Sequence, residues 1–228
     1  MKHYPDYSAL ELEILAAVGP CTMTSSERVV GLVRAVEYLV TNAIPGDIVE
    51  CGVWKGGSSM AAALALRAFG DTSRELLLFD TFQGMTTPTE SDVDLNGEAA
   101  RPAYEAALTP DGQCGWCSAM LDEVRANMAS TGYPAERVRF VPGPVEGTIP
   151  AHAPDAIALL RLDTDWYEST RHELNHLYPR LARHGVLIID DYGHWKGARK
   201  AVDDYFQGLS PRPLLTRMDY TGRLAVKP

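Results

Sequence analysis

From residue 47 onward the chain switches repeatedly between short, continuous apolar runs and stretches of helical periodicity, and few architectures accept that rhythm. Residues 47–53 (DIVECGV), 75–80 (ELLLFD), 137–141, 156–163 (AIALLRLD) and 184–191 (HGVLIIDD) read as strands. They are apolar at successive rather than alternate positions, so both faces of the sheet must be covered. Helical patterns at 58–69, 118–130, 169–183 and 198–207 supply the cover, and two shorter strands are predicted at 214–217 and 223–226. The fold class is therefore α/β, a doubly wound parallel sheet with helices on both faces, in a single domain over residues 1–228. Residues 1–45 are predicted to form a helical N-terminal segment, with Ser25 or Ser26 capping a helix through 29–40. Residues 81–115 are a long connection rich in Thr, Pro, Gly and acids, which in a compact domain points to a lid over a functional site.

Composition removes several function classes. The formal net charge is −9 and Lys and Arg are not clustered, so nucleic acid and anionic membrane surfaces are poor partners. No apolar run approaches the ~20 residues of a membrane span, and residues 1–14 lack a secretory apolar core. A cytoplasmic location with reduced thiols is expected. Of Cys21, Cys51, Cys114 and Cys117, the last two share the spacing of a thioredoxin-type motif. No strand pattern precedes them and no second pair completes a zinc site, so a loop-to-helix junction is expected there.

In a doubly wound sheet ligands bind beyond the carboxyl ends of the strands. The first such end is Glu50-Cys51-Gly52-Val53-Trp54-Lys55-Gly56-Gly57-Ser58-Ser59. A dinucleotide fingerprint needs glycine where Trp54 stands, and a Walker-type loop needs a lysine before Ser58, so nucleotide phosphates are disfavoured. The acid-x-Gly pattern of Glu50 and Gly52 suits S-adenosylmethionine, which has no phosphate. Gly52 is expected to let the chain pass close to the sulfonium. Ser58, at a helix start, is expected to bond the methionine carboxylate, and Asp80, ending the second strand, the ribose hydroxyls. Asp163 ends the fourth strand, and Asp190 and Asp191 end the fifth. On neighbouring strands the tips lie ~5 Å apart, so the three carboxylates are expected to converge on Mg²⁺ or another divalent cation.

The segments 22–28 (TMTSSER), 46–59 (GDIVECGVWKGGSS), 77–85 (LLFDTFQGM), 116–134 (WCSAMLDEVRANMASTGYP), 159–170 (LLRLDTDWYEST) and 185–206 (GVLIIDDYGHWKGARKAVDDYF) resemble the macrocin-type O-methyltransferase family over nearly the whole chain. The resemblance implies a Rossmann-like class I methyltransferase sheet and a Mg²⁺-dependent enzyme of natural-product biosynthesis, acting on a hydroxyl of a small acceptor such as a deoxysugar. It implies that Asp163, Asp190 and Asp191 hold the metal, that Glu50, Gly52, Trp54, Ser58 and Asp80 line the cofactor site, and that the loop after Asp80 closes over substrate. A homodimer is expected, with the N-terminal segment as lid or oligomer face.

More distantly the chain is similar to catechol O-methyltransferases. Their lysine base, three residues after the first metal aspartate, is replaced by Trp166, which disfavours a phenolic acceptor. Pro144 in VPGPVEG also departs from the acid that relatives carry near the adenine. Asp163 is the expected proton acceptor, with Asp165 and His194 as alternatives. A phenol- or catechol-type O-methyltransferase is the first alternative, followed by an NAD-dependent oxidoreductase and a non-catalytic cofactor-binding protein; Trp54 argues against the oxidoreductase, and the cost of uncompensated acids against the bare binder.

Overall fold

The five long apolar runs become five parallel strands: β1 (Asp47–Cys51), β2 (Leu76–Asp80), β3 (Val138–Pro142), β4 (Ile157–Leu162) and β5 (Leu181–Ile189). Two short C-terminal strands, β6 (Thr216–Arg217) and β7 (Arg223–Val226), complete the sheet. In this computed structural model, which describes residues 5–228, the strand order is β3-β2-β1-β4-β5-β7-β6. β7 runs antiparallel between β5 and β6. The order reverses between β1 and β4, where Glu50 lies opposite Arg161 and Cys51 opposite Leu162. A crevice opens at such a reversal because the connections leave in opposite directions.

The helices are α1 (Ala9–Val18), α2 (Ser26–Thr41), α3 (Gly57–Ala68), α4 (Ala100–Ala106), α5 (Leu121–Ser130), α6 (Val145–Thr148), α7 (Tyr167–Leu177) and α8 (Lys196–Gln207). Alternate residues of each central strand go to opposite layers. Ile48, Leu76, Leu78, Leu159 and Ile188 pack with Val29 and Val33 of α2, Leu66 of α3 and Val124 of α5. Val49, Leu77, Phe79, Leu160 and Ile189 pack with Leu174 of α7 and with Val202 and Phe206 of α8. This two-sided burial is why the strands carry no polar face. Among the described residues, no helix is long and apolar enough to cross a membrane.

At the N-terminus, Ser8 and Glu11 form a reciprocal capping box on α1, and Ser25 caps α2. Residues 1–4 of the segment expected to be helical lie outside the described residues. The connection after β2 has more structure than its composition suggested. It contains α4 and is fastened to the body. Asp92, fully buried, accepts hydrogen bonds from the Tyr167 amide (2.7 Å) and the Thr89 amide (2.7 Å). Trp166 Nε1 donates to the Thr86 carbonyl at 2.9 Å, and the Lys196 amide to the Val93 carbonyl at 2.9 Å. Cys114 and Cys117 are free thiols in the stretch before α5, consistent with a loop-to-helix junction.

Candidate active site

A cavity of about 400 Å³ opens at the carboxyl ends of the strands, lined by Gly52, Trp54, Ser58, Asp80, Asp163 and Asp191 together with residues of α2, the post-β2 connection and the C-terminal turn. Gly52 has φ +81°, and a Cβ there would be driven into the Asp163 carbonyl. Its lack of a side chain thus brings the ends of β1 and β4 together. Gly57 serves a second close approach: a Cβ would meet the Cys21 carbonyl at 2.5 Å, because residues 21–24 cross the start of α3. No side chain caps α3, so its first amides remain available for an anion, with Ser58 beside them.

Asp80 is committed on both oxygens. Oδ2 accepts from the Val53 amide (2.6 Å) and the Trp54 amide (3.0 Å), and Oδ1 from the Phe82 amide (2.7 Å). It therefore ties the glycine-rich turn to the loop after β2. Glu50 does not border the cavity. It sits behind the wall, 3% exposed, accepting from Ser59 Oγ and from Arg161 Nη1 (2.5 Å). Burial raises its pKa, and Arg161 and Ser59 oppose the rise.

Arg161, near the carboxyl end of β4, organises the acids. Its guanidinium meets Glu50 Oε1 at 2.5 Å, Asp163 Oδ2 at 2.7 Å and Asp190 Oδ1 at 2.5 Å. Burial alone would lower its pKa, but Asp163, Asp190 and Glu50 outweigh burial and keep it charged. The other Asp190 oxygen pairs with Arg28 of α2, whose Nε reaches Asp219 at 2.9 Å. Asp163 and Asp191 do come together as anticipated, but the third member of the group is Asp165: carboxylate oxygens of Asp163, Asp165 and Asp191 all lie within 4.8 Å of one another. Asp190 was expected among them; here its oxygens are turned to the two arginines instead, because buried guanidiniums need counter-charges. Burial followed by repulsion from neighbouring acids drives Asp191 well above the usual carboxylate range. Burial does the same to Asp163 although Arg161 opposes it, and Asp165 is pushed up to about 7. Such crowding of hard oxygen donors is what a divalent cation relieves.

Trp116 and Trp195 make part of the cavity wall aromatic. Trp116 packs against Trp166 (centroids 5.8 Å apart) and Trp195 (6.1 Å). Trp166, standing at the position considered for a lysine base, is 2% exposed and hydrogen-bonded, so it leaves no base there. His194 also borders the cavity, with Nδ1 3.3 Å from Tyr220 Oη. Cys117 lies close to the acids, and burial with their repulsion lifts its thiol to about 12, so it remains protonated.

The family model for macrocin O-methyltransferases (TylF) matches residues 17–224. The chain belongs to the macrocin O-methyltransferase family. The chain is 36% identical over 201 residues, 88% of its length and 73% of the relative's, to the 8-demethyl-8-(2,3-dimethoxy-α-L-rhamnosyl)-tetracenomycin-C 4′-O-methyltransferase of Streptomyces olivaceus. It is 34% identical over 184 residues, 81% of the chain and 69% of the relative, to the mycinamicin III 3″-O-methyltransferase of Micromonospora griseorubida. The solved structure of the O-methyltransferase NovP superposes with a TM-score of 0.83 at 28% identity, covering 96% of this chain and 97% of that one. As a family member the chain is an O-methyltransferase with the Rossmann-like sheet that the family resemblance implied.

Three residues of this O-methyltransferase escaped the sequence reading. Arg161 interrupts an otherwise apolar strand, and a charge inside LLRLD was the available signal. Arg28 and Asp92 gave none, because their partners lie 162 and 75 positions away.

Proposed function

We propose that the chain is an S-adenosylmethionine-dependent, divalent-metal-assisted O-methyltransferase acting on a hydroxyl of a small natural product, a deoxysugar of a glycosylated secondary metabolite in the first instance. The carrying observation is the group Asp163, Asp165 and Asp191 lining the same cavity as the glycine turn of β1. The relatives named for methylating rhamnosyl and mycinamicin positions support the acceptor class.

On the donor side, Trp54 and Ser58 border the space for S-adenosylmethionine, with the uncapped start of α3 beneath. Asp80 fixes the turn and is assigned the ribose hydroxyls. When bound, S-adenosylmethionine supplies a methyl group on a sulfonium, open to in-line attack by the acceptor oxygen. A divalent cation held by Asp163 and Asp191 supplies acidification and orientation of the acceptor hydroxyl. The third carboxylate is Asp165, which stands in the group, or Asp190, which joins it by releasing an arginine. Asp163 takes the hydroxyl proton. The tryptophan wall keeps water from the reacting atoms and aligns the acceptor, the larger part of catalysis for a displacement of this kind.

The test is methyl transfer to a panel of deoxysugar glycosides and simple catechols, with and without EDTA. Turnover on a glycoside, abolished by EDTA and restored by Mg²⁺, is expected, and full activity in EDTA would remove the metal. Asp163→Asn should slow turnover more than Asp191→Asn. Mn²⁺ titration of Asp165→Asn and Asp190→Asn identifies the third ligand by which variant weakens binding.

A further inference from the structure

Glu173 stands out because the reaction gives it no task. It lies on the sheet-facing side of α7, fully buried, and its Oε2 is the one buried side-chain polar atom among the described residues with no hydrogen bond of good geometry, the Cys51 thiol giving the carboxyl only a weak contact. Packing alone would favour an apolar side chain between Leu174, Leu177 and the strands, since an unpartnered oxygen in the interior is unfavourable. Burial raises its pKa well above the usual carboxylate range. Its other oxygen accepts from Thr164 Oγ1 at 2.9 Å.

Thr164 is the residue between Asp163 and Asp165. Its carbonyl accepts from the Trp166 amide at 2.8 Å, closing a tight turn over Asp165. Asp165 there has φ +68°, left-handed backbone that a non-glycine residue adopts at a cost. A strained turn persists only where its surroundings hold it. The Thr164 side chain provides the grip, anchored to Glu173 and lying 2.8 Å from Ser169 Oγ.

We propose that Glu173 is a positioning residue for the cation site: through Thr164 it holds the strained turn that presents Asp163 and Asp165 to Asp191. This rests on the metal reading given above. Loss of the Glu173 acceptor leaves Thr164 with Ser169 alone, relaxes the turn and separates the carboxylates. What matters is the oxygen that accepts from Thr164, and an amide of the same shape offers the same acceptor.

The test is Mn²⁺ binding by the full chain, followed through the electron paramagnetic resonance signal of free Mn²⁺, with S-adenosylhomocysteine affinity measured in parallel. Glu173→Met keeps length and volume but removes the acceptor, and Thr164→Val removes the hydroxyl. Each is expected to weaken Mn²⁺ about tenfold, the lower end for loss of a group that orients a metal ligand. The double variant should be no weaker than either single one, Glu173→Gln should bind like the wild type, and S-adenosylhomocysteine affinity should not move. Wild-type Mn²⁺ affinity in Glu173→Met or Thr164→Val overturns the assignment. So does a Glu173→Gln as weak as Glu173→Met, or a parallel fall in S-adenosylhomocysteine affinity. If Glu173→Met does not fold, Thr164→Val decides. A wild-type chain that binds no Mn²⁺ sinks the metal reading itself, before any variant is compared.

Discussion

At the scale of single residues, Arg161 carries the largest electrostatic responsibility. One guanidinium serves Glu50, Asp163 and Asp190, and a buried acid that loses its cation bears the desolvation penalty uncompensated. Arg161→Met should therefore cost about 3–5 kcal/mol in denaturant unfolding. A loss below about 1 kcal/mol would mean that the acids are protonated in the fold rather than paired. The same residue marks the limit of reading a site from sequence. Asp163, Asp190 and Asp191 were legible because acids at the tips of apolar strands have few structural reasons to be there. How they divide their partners was not legible, because it depends on rotamers chosen by arginines on β4 and α2. Asp190 goes to the arginines and Asp165, held on a left-handed backbone, swings toward Asp163 and Asp191. Glycine roles were half legible: the need for Gly52 was clear, but the group that approaches it here is the Asp163 carbonyl.

Among elements, the strands were read within a few residues because continuous apolar runs survive any tertiary context. The connection after β2 was not, because α4 and the Asp92 contacts arise from packing against α7 and α8 rather than from local periodicity. Asp92 caps the first turn of α7 from outside, joining the connection to the strand end that carries Asp163. Asp92→Ala should lose about 1–2 kcal/mol and expose residues 81–115 to limited proteolysis. A variant as protease-resistant as the wild type would show that the aromatic wall alone holds the segment. Helix α1 offers a pH test. Burial raises the pKa of Glu11, but hydrogen bonds from Arg34 and from the Ser8 amide outweigh burial and leave it below its ordinary value of 4.5. A depressed carboxylate contributes stability above its unfolded pKa and loses it as pH falls through the folded one. Thermal stability should therefore fall as pH drops below 4.5, and Glu11→Gln should flatten that part of the profile. An unchanged profile would discount the capping box.

For the molecule as a whole, the acids make stability and ligand binding a single quantity. An ion that binds only the folded state stabilises it by about 2.7 kcal/mol at 100 times its Kd. In a chain of this size that is a rise in Tm of roughly 5–10 °C. Mg²⁺ titration should produce such a shift and EDTA should reverse it; no shift at saturating Mg²⁺ would speak against a cation in the acid group. The doubly wound sheet gathers these residues from distant parts of the chain, and the Arg28 contacts have a consequence for how the protein comes into being. Arg28 emerges from the ribosome early, yet its partners follow 162 and 191 residues later. At about 5–20 residues per second, the growing chain must wait on the order of ten seconds before its acid pocket has all its walls. Nascent chains halted before β7 should keep the helical layer of α1 to α3 but bind no cation, so that translation itself sets the moment at which the pocket is armed.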